Sequence, residues 1–167
     1  MKPVVIDNFL DEQSFQVLKN TMLGGSFNWV YNDAIDYADD KDKFQFTHSF
    51  YKEKLGPESV HYGILSSILQ RLRIKEIYRI KANLLTRTPE IVPNTFHTDI
   101  QGNWGVIPYT TSIFYLNTNN GYTEFENGMK VESVENRWVS FPEDTKHRGT
   151  SCTDEKVRVV INFNYLT

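Results

Sequence analysis

The chain has 167 residues, and its formal net charge of −3 gives no electrostatic case for nucleic acid or an anionic membrane surface. The length suits one domain with a sizeable core, and the single cysteine, Cys152, excludes an internal disulfide, which fits a reducing cytoplasm. Met1 to Asp7 lacks the apolar run of a signal peptide, and no apolar stretch is long enough to span a bilayer.

Pro3 to Ile6 reads as a short strand, broken by Asp7-Asn8. Asp11 can cap a helix running to about Leu23, with Phe15, Leu18 and Met22 on one face. Gly24-Gly25 ends it, and Phe27 to Tyr31 reads as a strand. The segment from Asn32 to Lys43 holds Asp33, Asp36, Asp39, Asp40 and Asp42 and shows no apolar period. It reads as an acidic loop, either a solvated surface or a lid that attracts a basic substrate. Phe44 to Tyr51 alternates as a strand. Pro57 suits the first turn of a helix running to about Arg73, whose buried face is Ile64, Leu65, Ile68, Leu69 and Leu72. Arg71, Arg73 and Lys75 complement the dipole at its end and do not form a nucleic-acid patch. His48 and His61 lack a partner at ligand spacing and read as structural.

From Glu76 the pattern turns to β. Ile77 to Leu85 is a strand with Tyr78, Ile80, Ala82 and Leu84 on one face and Arg79, Lys81, Asn83 and Leu85 on the other. Arg87 to Asn94 is a loop containing Pro89 and Pro93. An extended segment around His97 follows, then a loop with Gly102, Trp104 and Pro108. Further strands are expected at Tyr109 to Asn117, Tyr122 to Phe125, Met129 to Val131, Arg137 to Phe141, Lys146 to Gly149 and Lys156 to Tyr165. Early helices followed by many short strands predict an α+β domain, with helices packed on one face of a β-sandwich or squashed barrel.

The chemistry centres on Phe96-His97-Thr98-Asp99. In extended backbone His97 and Asp99 project from one face. A second His brought back by the fold would complete two imidazoles and a carboxylate, the ligand set of non-haem Fe(II) oxygenases. His147 is the other His of the β half. On the last strand Val157, Val159, Ile161 and Phe163 suit packing under the helices, while Arg158, Val160, Asn162 and Asn164 face inward. An inward Arg needs an anion: an internal Asp or Glu, or a carboxylate ligand that its planar fork can grip bidentately.

These residues resemble the Fe(II)/2-oxoglutarate-dependent dioxygenase superfamily, and within it the prolyl-4-hydroxylase-like group. The resemblance runs from about Leu84 to Tyr165. His97, Asp99 and His147 match the metal ligands, and Arg158 matches the residue that binds the distal carboxylate of 2-oxoglutarate. Tyr115-Leu116-Asn117 resembles the Tyr-Leu-Asn strand whose Tyr also contacts that carboxylate. Asn120 to Phe125 resembles the Gly-Gly-x-Thr-x-Phe turn, with Asn120 in the first Gly position, and Phe141-Pro142 resembles the approach to the distal His. Many relatives have a Tyr on the strand before the proximal His; this chain has Leu85 there, with Asn83 two positions earlier as the candidate for the metal-proximal carboxylate.

The resemblance implies a double-stranded β-helix, a jelly-roll or cupin-like barrel, with N-terminal helices packed on one sheet. Residues 1–167 would form a single oxygenase domain, 1–75 supplying helical support and entrance loops and 76–167 the barrel core. It implies Fe(II), 2-oxoglutarate as cosubstrate and O2, with ascorbate as a candidate reductant. The implied reaction hydroxylates a C–H bond of a peptide or small molecule, releasing succinate and CO2. No protein general base is required. Trp104 could face substrate or plug the barrel mouth, Tyr109 reads as core or rim, and Trp29, Trp138 and Cys152 read as packing. Two other classes remain on the sequence: a non-catalytic ligand-binding barrel, and a zinc hydrolase using the same His-Asp-His set. The sequence specifies neither substrate nor oligomeric state.

Overall fold

The computed structural model describes residues 2–35, 43–100 and 108–167. Trp104 and the aspartates at 36, 39, 40 and 42 therefore lie outside the described residues. The elements in chain order are β1 (Val4–Ile6), α1 (Glu12–Met22), β2 (Val30–Asn32), β3 (Gln45–Lys52), β4 (Gly56–Pro57), a 3-10 turn (Tyr62–Leu65), α2 (Ser66–Leu72), β5 (Glu76–Thr86), β6 (Thr110–Tyr115), β7 (Tyr122–Phe125), β8 (Lys130–Glu132), β9 (Arg137–Pro142), β10 (His147–Gly149) and β11 (Val157–Leu166). The large sheet runs β1-β9-β6-β11-β5-β3-β2, with β4 added on β3; the small sheet runs β10-β7-β8. Every pairing within them is antiparallel. This is the expected α+β jelly roll, with helices on one sheet.

The central strands of the large sheet are covered on both faces, and their alternation sorts residues between two cores. On the helix side Phe15, Leu18 and Met22 of α1 and Ile68 of α2 pack with Ile80, Ala82, Phe114, Trp138, Val159, Ile161 and Phe163. Each such side chain contributes about 1.5–3 kcal/mol by leaving water. Between the sheets Ile113, Tyr115, Val139 and Val160 meet Phe125 and Val131 of the small sheet. Phe9 stacks on Trp138 with ring centroids 4.6 Å apart. Asp11 caps α1 by accepting from the Ser14 amide at 2.9 Å.

Two local expectations are corrected. Pro57 does not open a helix; it lies in β4, paired with Tyr51, and α2 begins only at Ser66. A Pro ring fits the exposed edge of a sheet as well as the first turn of a helix. Tyr78 does not share the core face of Ile80. The β5–β11 register slips between Asn164 and Tyr165, so Ile77, not Tyr78, pairs with Tyr165. Such a bulge re-aims side chains. Ile77 packs on the helix-side core, while Tyr78 and its neighbour Arg79 both line the inner cavity.

Among the described residues no helix is long and apolar enough to cross a membrane.

Candidate functional site

The space between the sheets holds a cavity of about 360 Å³, within the range of small-molecule pockets. Its floor is the inner face of β5 and β11, where Leu85 pairs with Arg158, Asn83 with Val160 and Lys81 with Asn162. The segment before Ile100 and strand β10 form the facing wall.

His97 and His147 are brought together by backbone. Each donates its amide to the other's carbonyl at 3.0 Å, an isolated bridge that ties the 97 segment to β10. His97 is extended only at this bridge, and the chain bends at Asp99. That bend points the Asp99 carboxylate at both rings: Oδ1 lies 3.6 Å from His97 Nε2 and 3.9 Å from His147 Nε2. One ligand atom from each of the three residues falls within 4.8 Å of the others. His97 Nδ1 lies 3.1 Å from the Thr95 carbonyl and His147 Nδ1 lies 3.0 Å from the Thr145 carbonyl. A carbonyl can only accept, so each Nδ1 carries the proton and each Nε2 presents its lone pair to the centre.

The electrostatics keep the three groups ready as ligands. Burial pushes the His147 imidazole down towards its neutral form, against the pull of Asp99. Burial works to raise the Asp99 carboxyl, but its contacts with His97, His147 and the Arg79 guanidinium outweigh it and hold the group well below the usual carboxylate range. Asp99 has two further supports that the sequence did not single out. Asn164 Nδ2 donates to Asp99 Oδ2 at 3.0 Å, and Arg79 Nη2 lies 3.5 Å from Oδ1. Arg79 Nε also donates to Asn164 Oδ1 at 3.2 Å, closing the cluster.

Arg158 lies 3% exposed at the far end of the cavity. Its Nε donates to Ser133 Oγ at 2.9 Å and its Nη2 to Thr123 Oγ1 at 3.2 Å. Burial works against its charge, and the groups that favour the charge are Tyr115 and Cys152. Among the described residues no carboxylate pairs with it, so the internal salt bridge allowed by the sequence does not form. Tyr115 is buried behind the wall; its hydroxyl donates to Thr123 Oγ1 at 2.7 Å. Thr123 therefore accepts twice, and its own hydroxyl proton remains for the cavity that it lines. Asn83 and Asn162 also line the cavity, and each has a buried Oδ1 with no partner. Gly149 leaves room beside the guanidinium, since a Cβ there would sit 3.3 Å from Arg158 Nη1.

The arrangement is a His-Asp-His cluster that could hold a cation at one end of a polar cavity and a buried guanidinium at the other. No protein-family model matches the sequence, and no curated protein sequence matches it. Solved structures do match the whole chain in shape. A viral collagen prolyl hydroxylase from Paramecium bursaria Chlorella virus-1, solved with 2OG, superposes with a TM-score of 0.64 at 14% identity, covering 100% of this chain and 97% of that one. A Trichoplax adhaerens prolyl hydroxylase, solved with a peptide of hypoxia inducible factor, gives 0.63 at 17% identity, covering 98% and 83%. A Pseudomonas putida prolyl-4-hydroxylase gives 0.64 at 11% identity, covering 99% and 92%. The chain shares the fold of these hydroxylases.

Within this fold the sequence-predicted residues divide by position. His97, Asp99, His147, Arg158 and Asn83 all face the one cavity, whereas Tyr115 lies behind Thr123 and Arg158. Tyr109 is a core residue whose hydroxyl donates to Glu76 at 2.6 Å, a bond that pushes the phenol up to about 12. Cys152 is fully buried, and His48 is held between the Asn28 carbonyl and Ser59. Arg79, Thr123 and Asn162 line the cavity and Asn164 braces Asp99, and the sequence assigns a role to none of the four. The inward parity of β11 marks Asn162 and Asn164, but the partners of Asn164 come from segments distant in sequence.

Proposed function

We propose that the chain is an Fe(II)- and 2-oxoglutarate-dependent dioxygenase, a single domain over 1–167, that hydroxylates a C–H bond of a peptide or small-molecule substrate. The observation that carries the reading is Arg158. A fully buried guanidinium without a carboxylate partner is costly unless a ligand supplies the anion, and it shares one cavity with the His97-Asp99-His147 cluster. A cosubstrate with a carboxylate for Arg158 and a chelating end for a metal answers both demands. A zinc hydrolase would use the metal and leave Arg158 without a reason.

His97 Nε2, Asp99 Oδ1 and His147 Nε2 would hold Fe(II) on one side, leaving the positions towards the cavity for ligands. Asn164 and Arg79 hold Asp99 in place. Arg158 would grip the distal carboxylate of 2-oxoglutarate, and the Thr123 hydroxyl would donate to it, with Tyr115 behind fixing Thr123. Asn83 and Asn162 would serve the end of the cosubstrate nearest the metal. When bound, the iron and 2-oxoglutarate would supply, with O2, oxidative decarboxylation of the cosubstrate to succinate and CO2 and the second oxygen atom for the substrate C–H bond, and ascorbate would serve as reductant. The protein's part is orientation and exclusion of water. A reducing cytoplasm suits Fe(II) and the lone thiol of Cys152.

The test is an anaerobic titration. A weak visible band that appears only when 2-oxoglutarate joins the Fe(II) protein, followed by succinate release on admission of O2, supports the reading. A protein that retains zinc tightly, shows no such band and releases no succinate overturns it.

A further inference from the structure

The paired strands β5 and β11 set their inner residues in order along the cavity floor. Leu85 lies opposite Arg158, Asn83 opposite Val160, Lys81 opposite Asn162 and Arg79 opposite Asn164. The rise of β11 from Arg158 to Asn164 is roughly 20 Å, so the two arginines mark opposite ends of the floor. Arg79 stands at the end of the His97-Asp99-His147 cluster. Its Nη2 lies 3.5 Å from Asp99 Oδ1 and donates to the Asp99 carbonyl at 3.4 Å.

Arg79 is held loosely for a cation beside a carboxylate. A charge-assisted bond is usually about 2.7–2.9 Å long, and both contacts to Asp99 are longer. Nε donates to Asn164 Oδ1 at 3.2 Å, and Nη1 makes no hydrogen bond to a described residue. The Arg79 side chain is 27% exposed where that of Asp99 is 3% exposed, and it lines the cavity, so a ligand can reach it from there. Tyr78 lines the cavity beside it, its ring braced on Tyr109 with centroids 5.6 Å apart. Lys81, the next cation along the same face, is already engaged within the protein.

Charge decides what such a ligand is. Asp99 Oδ1 is the oxygen nearest both His rings. A divalent ion held there would draw on the carboxylate that steadies Arg79 and would set its own charge beside the guanidinium. Like charges that share one carboxylate in a partly buried site favour a second anion. In the proposed binding mode 2-oxoglutarate serves Arg158 and the metal and leaves Arg79 to another group. We propose that Arg79 is an anion subsite for the substrate, taking a carboxylate while the apolar part of the molecule lies against Tyr78 and its reacting C–H bond meets the cluster. This rests on the oxygenase reading for the identity of the reaction, but not for binding. The selecting charge is then negative, opposite to the basic substrate that an acidic lid after Asn32 would attract. A free carboxylic acid and the acidic side chain of a peptide present the same group to a guanidinium, and binding probes separate them.

The experiment uses the full chain loaded with Zn(II) and 2-oxoglutarate, its arginine side chains labelled for NMR. The probes are two pairs that differ in charge but hardly in shape: isobutyrate with isobutyramide for a free acid, and N-acetyl-aspartate amide with N-acetyl-asparagine amide for a peptide side chain. In at least one pair the acid should shift the Arg79 Nε–H signal and bind roughly tenfold or more tighter than its amide, the scale of one charge-assisted bond. The pair that discriminates names the source of the carboxylate. Arg79→Gln should abolish the preference, and Arg79→Lys should keep part of it because the charge remains. If Arg79→Gln does not fold, the Arg79 signal of the unaltered protein and the Arg79→Lys variant decide. No preference in either pair, or a preference intact in Arg79→Gln, would leave Arg79 as a brace for Asp99 and overturn the subsite. An Arg79 signal that moves with 2-oxoglutarate and not with either acid would assign the guanidinium to the cosubstrate and overturn it as well. Acid preference in a protein that releases no succinate with Fe(II), 2-oxoglutarate and O2 would keep the subsite and sink the oxygenase; succinate release without the preference would do the reverse.

Discussion

Arg158 is anchored by two hydroxyls and an aromatic ring, none of which carries a formal charge. That makes it the residue most sensitive to the loss of its planar fork. Arg158→Lys keeps the charge but cannot bond Ser133 and Thr123 while also gripping a carboxylate in two places. Loss of one charge-assisted bond corresponds to about 1.5–3 kcal/mol, so 2-oxoglutarate affinity should fall by roughly one to two powers of ten. Metal affinity, read separately by titration with Co(II), should change far less. Unchanged 2-oxoglutarate affinity would show that the carboxylate binds elsewhere. Gly121 guards the same guanidinium from behind. A Cβ there would sit 2.7 Å from Arg158 Cδ and 2.7 Å from the Ser151 carbonyl oxygen. The backbone oxygen cannot swing aside, so the turn or Arg158 must move. Gly121→Ala should therefore lower stability by about 1–3 kcal/mol, the usual cost of overpacking, and weaken 2-oxoglutarate binding as well. Denaturant melts paired with calorimetric binding check both, and wild-type values in each would contradict the contact.

At the scale of elements, one joint ties the N-terminal helix to the barrel. Asn136, in left-handed conformation at φ 59° just before β9, uses its side chain as a two-way clasp. Its Oδ1 accepts from the Leu10 amide at 2.8 Å and its Nδ2 donates to the Leu10 carbonyl at 2.9 Å. Its own carbonyl accepts from the Phe9 amide at 2.9 Å. Asn136→Ala removes both side-chain bonds, leaves buried Leu10 polar groups unpaired and keeps an unfavourable φ. The sum of lost bonds, orphaned groups and strain points to a loss of about 2–4 kcal/mol. Asn136→Gly relieves the φ and should fall less far; chemical denaturation of the two variants ranks them, and the reverse order would contradict the account. The joint also explains a limit of sequence reading. The alternation of β11 and the apolar spacing of α1 were legible because each is a local period. The partners of Asn136, 126 residues away, and of Asn164, 65 residues from Asp99, depend on which strands become neighbours. Tyr78 was misassigned because a bulge shifts parity by one residue without a local signal. Pro57 was misassigned because one fixed φ serves two structures.

For the molecule as a whole, burial of neutral histidines sets the response to acid. His48 Nδ1 donates to the Asn28 carbonyl at 2.8 Å, and its Nε2 lies 2.7 Å from Ser59 Oγ. Burial pushes the imidazole down, the Asn28 carbonyl works against this, and His61 adds to it. Burial acts on His147 in the same direction. The unfolded chain protonates these groups near pH 6.5, while the folded chain does so at lower pH. In that window the unfolded state binds more protons, so stability falls as pH drops below about 6.5. Denaturant midpoints measured between pH 7.5 and 5 should fall, and His48→Gln should make the fall shallower. A variant with the full wild-type slope would remove His48 from the account. The candidate ligands and the buried Arg stood out in the sequence because their residue types are rare in that combination.

The mutual amide–carbonyl pairing of His97 and His147 has a consequence for time rather than for energy. Two candidate ligands already fastened to each other by backbone need no chain closure before an ion arrives. The amide protons of His97 and His147 should therefore exchange slowly with deuterated solvent in metal-free protein, at rates close to those of the barrel strands rather than those of a loop. Fast exchange at both amides that slows only after metal is added would mean that the ion assembles the pair. Slow exchange without metal means that capture of the ion is a docking event, with the site waiting in its final shape.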